Sequence, residues 1–407
     1  MTQRMKAPDM RSVNGIQLLN LIVESGPMSR ASLAKLSHLS KPTVSEQVQR
    51  LIALGTVIEL GEGEACATGG KRPTMVAFHA DSGRVAGISI APEVTKIVVC
   101  NLEGELRGSD EVPTEPSESP RRLIARIRRS LEKLLKSGST APRLRAIGIG
   151  VPGRVDCDRG MILETGNVFD WREVDLASPL QRRFGCPVLV DNDVNVALMA
   201  ELQHGGAREH RTAVLIRVDV GVGAAIAMNR KVHHGSHWAA GEIGHLTPSS
   251  TAVGEVSARG HMETVVASDR IAARVRSAAR KIPALRRELK TQSPMAALIA
   301  VAKENDEAAT IAGEITYSLC VAVAQHALVF DPDVVLLSGE VFNHVLPEIQ
   351  GFVARTIPWS PDVALAGLGD EAVLMGATDL ALSASFEQLS QELQANPVPP
   401  LPMVLGA

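Results

Sequence analysis

An α/β fold behind a small amino-terminal helical unit is the architecture that this sequence predicts, and three observations indicate it. Three helix-like segments precede residue 54, and two short alternating runs follow them. From Gly83 onward, apolar strands alternate with amphipathic helices, which is typical of an α/β sheet. The strand at 145–150 runs directly into Val151, Pro152 and Gly153. Because ligands bind at the carboxyl ends of such strands, we expect a cleft there.

Composition places the chain among ordinary globular proteins, since 45% of its 407 residues are hydrophobic and 21% are charged. No run approaches about 20 apolar residues, and the first 30 residues lack a secretory leader pattern. We therefore expect a cytoplasmic protein with no membrane contact. The cysteines are widely spaced and form no CxxC pair, which favours reduced, mostly buried thiols; they are Cys66, Cys100, Cys157, Cys186 and Cys320.

Charge is unevenly divided along the sequence. Residues 1–80 hold nine lysines and arginines against six carboxylates, a net charge of +3, whereas the whole chain carries −3. The remainder therefore carries −6. Any affinity for a phosphate backbone is expected at the amino end.

The amino-terminal 80 residues predict a helix-turn-helix. Residues 13–24 form an apolar helical stripe, Ser29 caps a second helix, and Ser40 caps a third that has Pro42 in its first turn. In the third helix Val44, Val48 and Leu51 are spaced to face inward. The polar side chains are then expected to face outward and to contact DNA in the major groove; they are Lys41, Thr43, Ser45, Gln47, Gln49 and Arg50.

Two alternating runs, at 57–60 and 75–78, predict the strands of a wing. The loop between them ends in Gly-Gly-Lys-Arg-Pro, so Lys71 and Arg72 are expected to reach a phosphate or the minor groove. A small helical bundle with a solvated polar face would produce the same helical periodicity, and it stays open as the alternative.

The body carries a series of motifs in a characteristic order. These are GIGVPGRVD (148–156), GNVFDW (166–171), PVLVDNDVNVALMAE (187–201), DVGVGAAI (219–226), GEIGH (241–245), HMET (261–264), VVLLSGE (334–340) and GDEAVLMGATDLAL (369–382). In them the chain resembles the ROK family, which is named for its repressors, open reading frames and kinases. The family's regulators also carry an amino-terminal winged helix with a GGRP-like wing.

The resemblance implies a two-lobed, actin-like ATPase (sugar-kinase) fold with a sugar bound between the lobes. The expected division is a winged helix-turn-helix at 1–80 and a kinase-like body at 83–390. Within the body, a small lobe covers about 83–190 plus the carboxyl-terminal helix, and a large lobe covers about 191–370. A proline-rich tail is expected from 391 to 407.

The resemblance also implies a set of sugar contacts. The general base of the family's kinases maps onto Asp193, with Asn192 beside it, and the other contacts map onto Glu242, His245 and Glu263. Carboxylates, an amide and an imidazole suit a ligand whose hydroxyls both donate and accept. The residues alone would equally allow a helix cap at Asp193 and a core histidine at His245.

Both phosphate loops depart from the kinase pattern. Where the kinases have Asp-x-Gly-Gly-Thr, this chain has Ser89 for the aspartate, followed by Pro92 and Glu93. The second loop, Gly-Thr-Gly-x-Gly in kinases, starts here with Asp219. Proline removes an amide donor, and carboxylates repel phosphates. We therefore expect no nucleotide cofactor and no catalysis, with Asp193 as a vestigial base.

Zinc is not expected either. Members with a structural zinc supply the GEIGH histidine and three cysteines in a CxCGxxGC segment, but the matching stretch at 254–261 has no cysteine. Only His245 and His261 remain, and a tetrahedral site needs four ligands. In those family members the zinc braces the loop that carries the sugar-binding glutamate, so without it the position of Glu263 is expected to be less firmly fixed.

These observations predict a regulator that binds double-stranded DNA, acts most simply as a repressor, and senses a sugar or sugar derivative without phosphorylating it. A homo-oligomer, either a dimer or a dimer of dimers, would let two recognition helices meet two half-sites. Two alternatives stay open: a bifunctional ATP-dependent sugar kinase, and a regulator whose body only dimerises and binds no ligand.

Overall fold

A computed structural model describes residues 10–62, 72–115, 117–136, 142–166, 169–246 and 260–395. Predictions made for Cys66, for Lys71 at the tip of the wing, for 254–259 and for the tail from 396 onward lie outside these ranges.

The amino-terminal unit contains three helices and a small sheet, as the sequence predicts. Ser29 accepts a hydrogen bond from Ser32 N, and Ser40 accepts one from Thr43 N, so both serines cap the predicted helices. Such a cap contributes about 1 kcal/mol to helix stability. The elements are α1 (Met10–Ser25), β1 (Met28–Ser29), α2 (Arg30–Ser37), α3 (Lys41–Ala53), β2 (Val57–Glu62) and β3 (Thr74–Phe78), with sheet order β1-β3-β2.

The first lobe of the body is built on a five-stranded sheet of order β11-β7-β4-β5-β6. The three strands that come first in the chain, β4, β5 and β6, form an antiparallel meander. Strand β7 pairs in parallel with β4, and β11 pairs in parallel with β7. Helix α4 covers the sheet through buried Leu123, Ile127 and Leu131. The elements are β4 (Gly83–Ile90), β5 (Glu93–Cys100), β6 (Leu106–Thr114), α4 (Pro120–Leu135), β7 (Arg143–Val151), β8 (Arg154–Asp156), β9 (Met161–Glu164), β10 (Arg172–Asp175), α5 (Ala177–Phe184), β11 (Val188–Asn192) and α6 (Asp193–His204).

The second lobe repeats this topology. Its sheet has the order β14-β13-β12-β15-β16, with an antiparallel meander followed by two parallel strands. The repeated order is the two-lobed, actin-like arrangement that the resemblance implies. The elements are β12 (Ala213–Val218), β13 (Val222–Met228), β14 (Lys231–Val232), α7 (His261–Val266), α8 (Ser268–Ala278), α9 (Pro283–Glu288), α10 (Pro294–Ala302), α11 (Asp306–Phe330), β15 (Val334–Ser338), α12 (Phe342–Thr356), β16 (Asp362–Leu365) and α13 (Ala372–Ala395).

Helix α13 joins the body to the amino-terminal unit. Its first half packs so closely on the first sheet and on α6 that only glycine fits at Gly148 and Gly376. Toward its other end, Phe386 stacks on Phe78 of β3 with 5.7 Å between ring centroids. Leu393 is buried with the core of the winged helix. The helix therefore runs to Ala395, five residues into the segment predicted as a tail.

One described helix, α11, is long and apolar enough to cross a membrane by length and composition. Half of its most apolar window is buried inside the protein, and Ile311, Ile315 and Leu319 belong to the core of the second lobe. These contacts are those of a core helix in a globular domain.

Candidate functional site: a cleft between the lobes

Asn192 and Asp193 lie where β11 ends and α6 begins. The Asn192 side chain caps α6, because its Oδ1 accepts hydrogen bonds from Val194 N at 2.8 Å and Asn195 N at 3.2 Å. Its Nδ2 donates to Gly153 O at 2.8 Å. Only one amide hydrogen of Asn192 is left for a ligand. The helix cap that the residues alone allowed at Asp193 is made by Asn192 instead. Asp193 Oδ1 still accepts a hydrogen bond from Val194 N at 3.0 Å, and its Oδ2 lies on the side of Arg217 in the cleft.

The Asp193 carboxylate is mostly buried and faces a guanidinium. Arg217 Nη1 lies 3.8 Å from Asp193 Oδ2, and Arg217 Nη2 lies 3.9 Å from Asp219 Oδ2. Burial raises the pKa of the Asp193 carboxyl, while Arg217 and the backbone N–H of Val194 oppose that rise. A buried carboxylate beside one cation is a strong acceptor for a ligand hydroxyl.

Gly241 positions the second-lobe contacts. Its φ of +87° is in the left-handed region, and a Cβ there would lie 1.9 Å from Ala224 O. The tight backbone turns the next residue, Glu242, into the cleft, and a short 3-10 turn then brings His245 to the same side. The walls of the cleft displace water around Glu242 and raise the pKa of its carboxyl; nearby His245 lowers it, and Glu263 raises it further.

Glu263 reaches the cleft from α7. Its Oε1 accepts a hydrogen bond from Val222 N at 3.2 Å, at the loop that corresponds to the second phosphate loop. Gly244 and Gly260 leave room for this approach, because a Cβ on Gly244 would lie 2.9 Å from Glu263 Cγ and one on Gly260 would lie 2.0 Å from Gly244 O. Glycine at both positions thus lets the helix carrying Glu263 pack against the GEIGH turn.

All five predicted ligand residues line one cleft of about 360 Å³ between the lobes. The volume suits a monosaccharide, and the donors and acceptors that converge there suit a polyhydroxyl ligand. Sequence reasoning missed Arg217, Arg154 and Glu164, which also line it; Arg154 Nη2 bonds Glu164 Oε1 at 3.0 Å. A signal existed at Arg217, since it is the only charge in the apolar strand AVLIRV at 213–218.

The predicted DNA-reading face needs a correction. Lys41, Ser45 and Gln49 are exposed at i, i+4 and i+8 on α3, and Thr43 is half-buried beside the Ser40 cap. The prediction that Gln47 and Arg50 also face outward is wrong: they are 2% and 7% exposed.

The cause of the error is the packing of α1 against α3, together with the end of α13, which reaches Arg50. Arg50 Nη2 donates a hydrogen bond to Leu393 O. A Cβ on Gly15 of α1 would lie 3.1 Å from Gln47 Oε1 and 3.8 Å from a methyl group of Leu393, so Gln47 is held between α1 and α13. Arg72, at the end of the wing loop, is exposed.

Comparison with known proteins agrees with this architecture. Residues 85–384 match the model of the ROK family, and residues 12–58 match that of a winged helix-turn-helix DNA-binding domain. The xylose repressor of Caldicellulosiruptor bescii is 27% identical over 391 residues, which cover 92% of this chain and 96% of that protein.

Two solved structures are similar. A ROK family transcriptional regulator, described as a homologue of the E. coli MLC protein, has a TM-score of 0.73 at 20% identity and covers 95% of this chain and 99% of its own. A ROK family glucokinase from Streptomyces griseus, in complex with glucose and AMPPNP, has a TM-score of 0.59 at 25% identity, covering 74% of this chain and all of its own. The first likeness, at this identity, shows the fold alone.

Proposed function

The chain belongs to the ROK family, and on that premise we propose that it is a transcriptional regulator that binds double-stranded DNA through α3 and a sugar or sugar derivative through the inter-lobe cleft. The observation that carries the proposal is the meeting of Asn192, Asp193, Glu242, His245 and Glu263 in one cleft, on a chain that also carries a winged helix-turn-helix. Because the chain is similar to a xylose repressor, we propose that its effect on transcription is repression.

Lys41, Ser45 and Gln49 are the residues we assign to the DNA-reading face of α3. The three form one exposed row along the helix, and Arg72 at the end of the wing loop is also exposed. A lysine at the helix start suits a phosphate, and a glutamine two turns later suits the edge of an adenine. Lys71 stays a prediction, because it lies outside the described residues.

We expect Lys41→Ala and Gln49→Ala to weaken DNA binding in different ways. After selection of a binding sequence from a random duplex library, fluorescence anisotropy across a salt series would measure both effects. Lys41→Ala should reduce the slope of log affinity against log salt by about 1, because one phosphate contact is lost. Gln49→Ala should weaken the selected sequence by about 10-fold and leave non-specific binding nearly unchanged.

Two further variants control this experiment. Lys231→Ala removes an exposed lysine from the second lobe and should change neither quantity. Arg50→Ala should lower affinity without changing the salt slope, because Arg50 contacts Leu393 and not a phosphate. An unaltered salt slope in Lys41→Ala would remove this residue from the DNA interface.

We infer further that the body binds its sugar without phosphorylating it. Ala91 and Pro92 alone connect β4 to β5, and Pro92 has no N–H to offer a phosphate. At the second loop, the amide of Val222 already donates to Glu263. A second pocket of about 240 Å³ shares Arg217 and Asp219 with the cleft, and Glu340 and Asp370 also line it. A polyphosphate would meet three carboxylates against one guanidinium there.

The kinase alternative makes an opposite prediction, which a coupled assay can test. With ATP, Mg²⁺ and a panel of pentoses, hexoses and amino sugars, we expect no turnover above a protein-free control. The assay is able to detect a kinase, because the family includes glucokinases and this chain has Asp193 at the position of their general base. Turnover that disappears in Asp193→Asn would establish the kinase instead.

Helix α13 is the route we assign between the sugar cleft and the DNA. At one end it touches α6, whose first residue is Asp193; a Cβ on Gly376 would lie 2.0 Å from Val196 O. At the other end Leu393 holds Arg50 of α3. A helix of 24 residues spans about 36 Å. A sugar that draws the lobes together can therefore reorient α3, provided it binds the two arrangements with different affinity.

A homodimer in the cytoplasm completes the proposal. Two recognition helices must meet half-sites about 34 Å apart or a multiple of it, so one chain alone cannot read a palindromic operator. Light scattering after gel filtration should give twice the chain mass of 43.2 kDa, or four times for a dimer of dimers.

Isothermal titration with the sugar panel tests the alternative in which the body only dimerises. A sugar-binding body should bind at least one of the sugars, whereas a body that only dimerises would bind none of them.

A further inference from the structure

A cluster of three chemically different side chains lies next to the cleft and takes no part in the proposed sugar contacts. Cys157 is in the turn between β8 and β9, Asp191 is in β11, and His234 follows β14 of the second lobe. Their Sγ, carboxylate and imidazole atoms all lie within 4.8 Å of one another. Asp191 Oδ2 and His234 Nε2 are 2.7 Å apart. The cluster therefore brings together residues from both lobes.

The Asp191 carboxylate is held in a fixed orientation. Its Oδ1 accepts hydrogen bonds from Asn192 N at 2.7 Å and from Asn195 Nδ2 at 3.0 Å, and the side chain is 6% exposed. Because these donors occupy Oδ1, Oδ2 is directed toward His234 and Cys157. Trp238 packs edge-on against the His234 ring, with 5.5 Å between centroids. Outer partners of this kind orient metal ligands in proteins.

The donor set and its spacing match a particular cation. A thiolate, an imidazole and a carboxylate are the ligands of zinc, and three protein ligands leave a fourth position for water. Zinc bonds of about 2.0–2.3 Å hold tetrahedral ligand atoms about 3.3–3.8 Å apart, so small side-chain movements suffice. Asp156 and Asp158 flank Cys157 and add negative charge near the cluster.

We propose that Cys157, Asp191 and His234 bind one zinc ion that links the two lobes at the rear of the cleft. On binding, the Cys157 thiol releases its proton to water, His234 would bind through Nε2 as the neutral ring with its proton on Nδ1, and Asp191 would bind as the carboxylate. The site is separate from the family-type zinc site at His245 that the sequence predicts to be absent.

The position of the site gives it a role in setting the cleft. Asp191 directly precedes Asn192 and Asp193, and the loop containing His234 leads into Gly241 and Glu242. A zinc ion here would fix the relative position of the first-lobe and second-lobe sugar contacts. The proposal rests on no part of the DNA-binding assignment, and it stands or falls independently of the sugar specificity.

Metal titration of the full-length protein tests the proposal. After treatment with a chelator, the protein would be titrated with Co²⁺, whose bond to a thiolate gives a near-ultraviolet charge-transfer band, and with Zn²⁺ against a chromophoric competitor. We expect one equivalent of Co²⁺ to produce the band and Zn²⁺ to abolish it. Cys157→Ser should lose the band, and His234→Gln should bind Zn²⁺ at least about 100-fold more weakly.

Two controls make the outcome decisive. Cys186→Ser removes a buried thiol outside the cluster, and His210→Gln removes a half-buried histidine outside it; both should keep the band and the wild-type affinity. Circular dichroism would confirm that each variant is folded. The proposal is overturned if the wild-type protein shows no thiolate band, if the band persists in Cys157→Ser, or if His234→Gln binds Zn²⁺ as tightly as the wild type.

Discussion

Replacement of Gly148 with alanine is expected to destabilise the body by about 3 kcal/mol or more, the upper end of what overpacking does in protein cores. Gly148 is in the middle of β7, with α13 directly above it. A Cβ at this position would lie 1.9 Å from Ala377 O and 3.1 Å from Ala381 N. Both are backbone atoms of a helix, so no side-chain rotation relieves the clash. Urea unfolding followed by circular dichroism would measure the loss.

A second glycine provides the control for this prediction. Gly313 is exposed in the middle of α11, and a Cβ there meets nothing within 4 Å. Alanine should therefore stabilise the protein by up to about 1 kcal/mol, because it favours the helix more than glycine does. Equal midpoints for Gly148→Ala and wild type would show that α13 does not press on β7 as described. Since α13 also seats α3 through Leu393, Gly148→Ala should weaken DNA binding as well.

Local signals made much of the fold predictable from the sequence. The serine caps at Ser29 and Ser40 depend on side chains and amides three residues apart, and they form as expected. The strand predicted at 145–150 forms as Arg143–Val151. The signal was a short, nearly continuous apolar run, which is typical of a buried strand. The two-lobed arrangement was implied by the family resemblance alone, and the sheet orders were not predicted, because periodicity does not determine how strands pair.

Contacts between distant parts of the chain set the limit of sequence reasoning. Gln47 and Arg50 are polar residues on an amphipathic helix, and such residues normally face water. Gln47 is buried against α1, and Arg50 is buried where Leu393, 343 residues further along the chain, accepts its hydrogen bond. Similarly, the motif alone could not show that Asn192 spends its Oδ1 on the amide N–H groups of α6. The cluster around Asp191 draws on three separate segments, none of which carries a recognisable metal motif.

Exchange of Asp193 for asparagine is expected to separate ligand binding from stability. The neutral amide accepts hydrogen bonds from sugar hydroxyls more weakly than a carboxylate does. A hydrogen bond to a charged group contributes about 1.5–3 kcal/mol, which corresponds to a loss of sugar affinity of about 10- to 100-fold. Isothermal titration with a sugar that the wild type binds would measure this loss.

Stability of the ligand-free protein should change in the opposite direction. Burial raises the pKa of the Asp193 carboxyl above its unfolded value, so its stabilising effect is complete only at acid pH and is lost as pH rises through the folded pKa. At pH 7 the charged group therefore opposes folding, and asparagine of nearly the same shape should increase the free energy of unfolding by about 1 kcal/mol. The gain should shrink as the pH falls through the folded pKa of this carboxyl, because the protonated group no longer opposes burial.

The exposed Asp362 of β16 provides a matched control. Asp362→Asn should alter neither the sugar affinity nor the pH dependence of the free energy of unfolding. A variant at Asp193 that bound sugar as tightly as the wild type would place the ligand elsewhere in the cleft. Lower stability at pH 7 would instead mean that the pairing with Arg217 outweighs burial. The expected combination, weaker binding with a more stable fold, arises because a buried carboxylate kept for a ligand is costly until the ligand's hydroxyls replace the lost water.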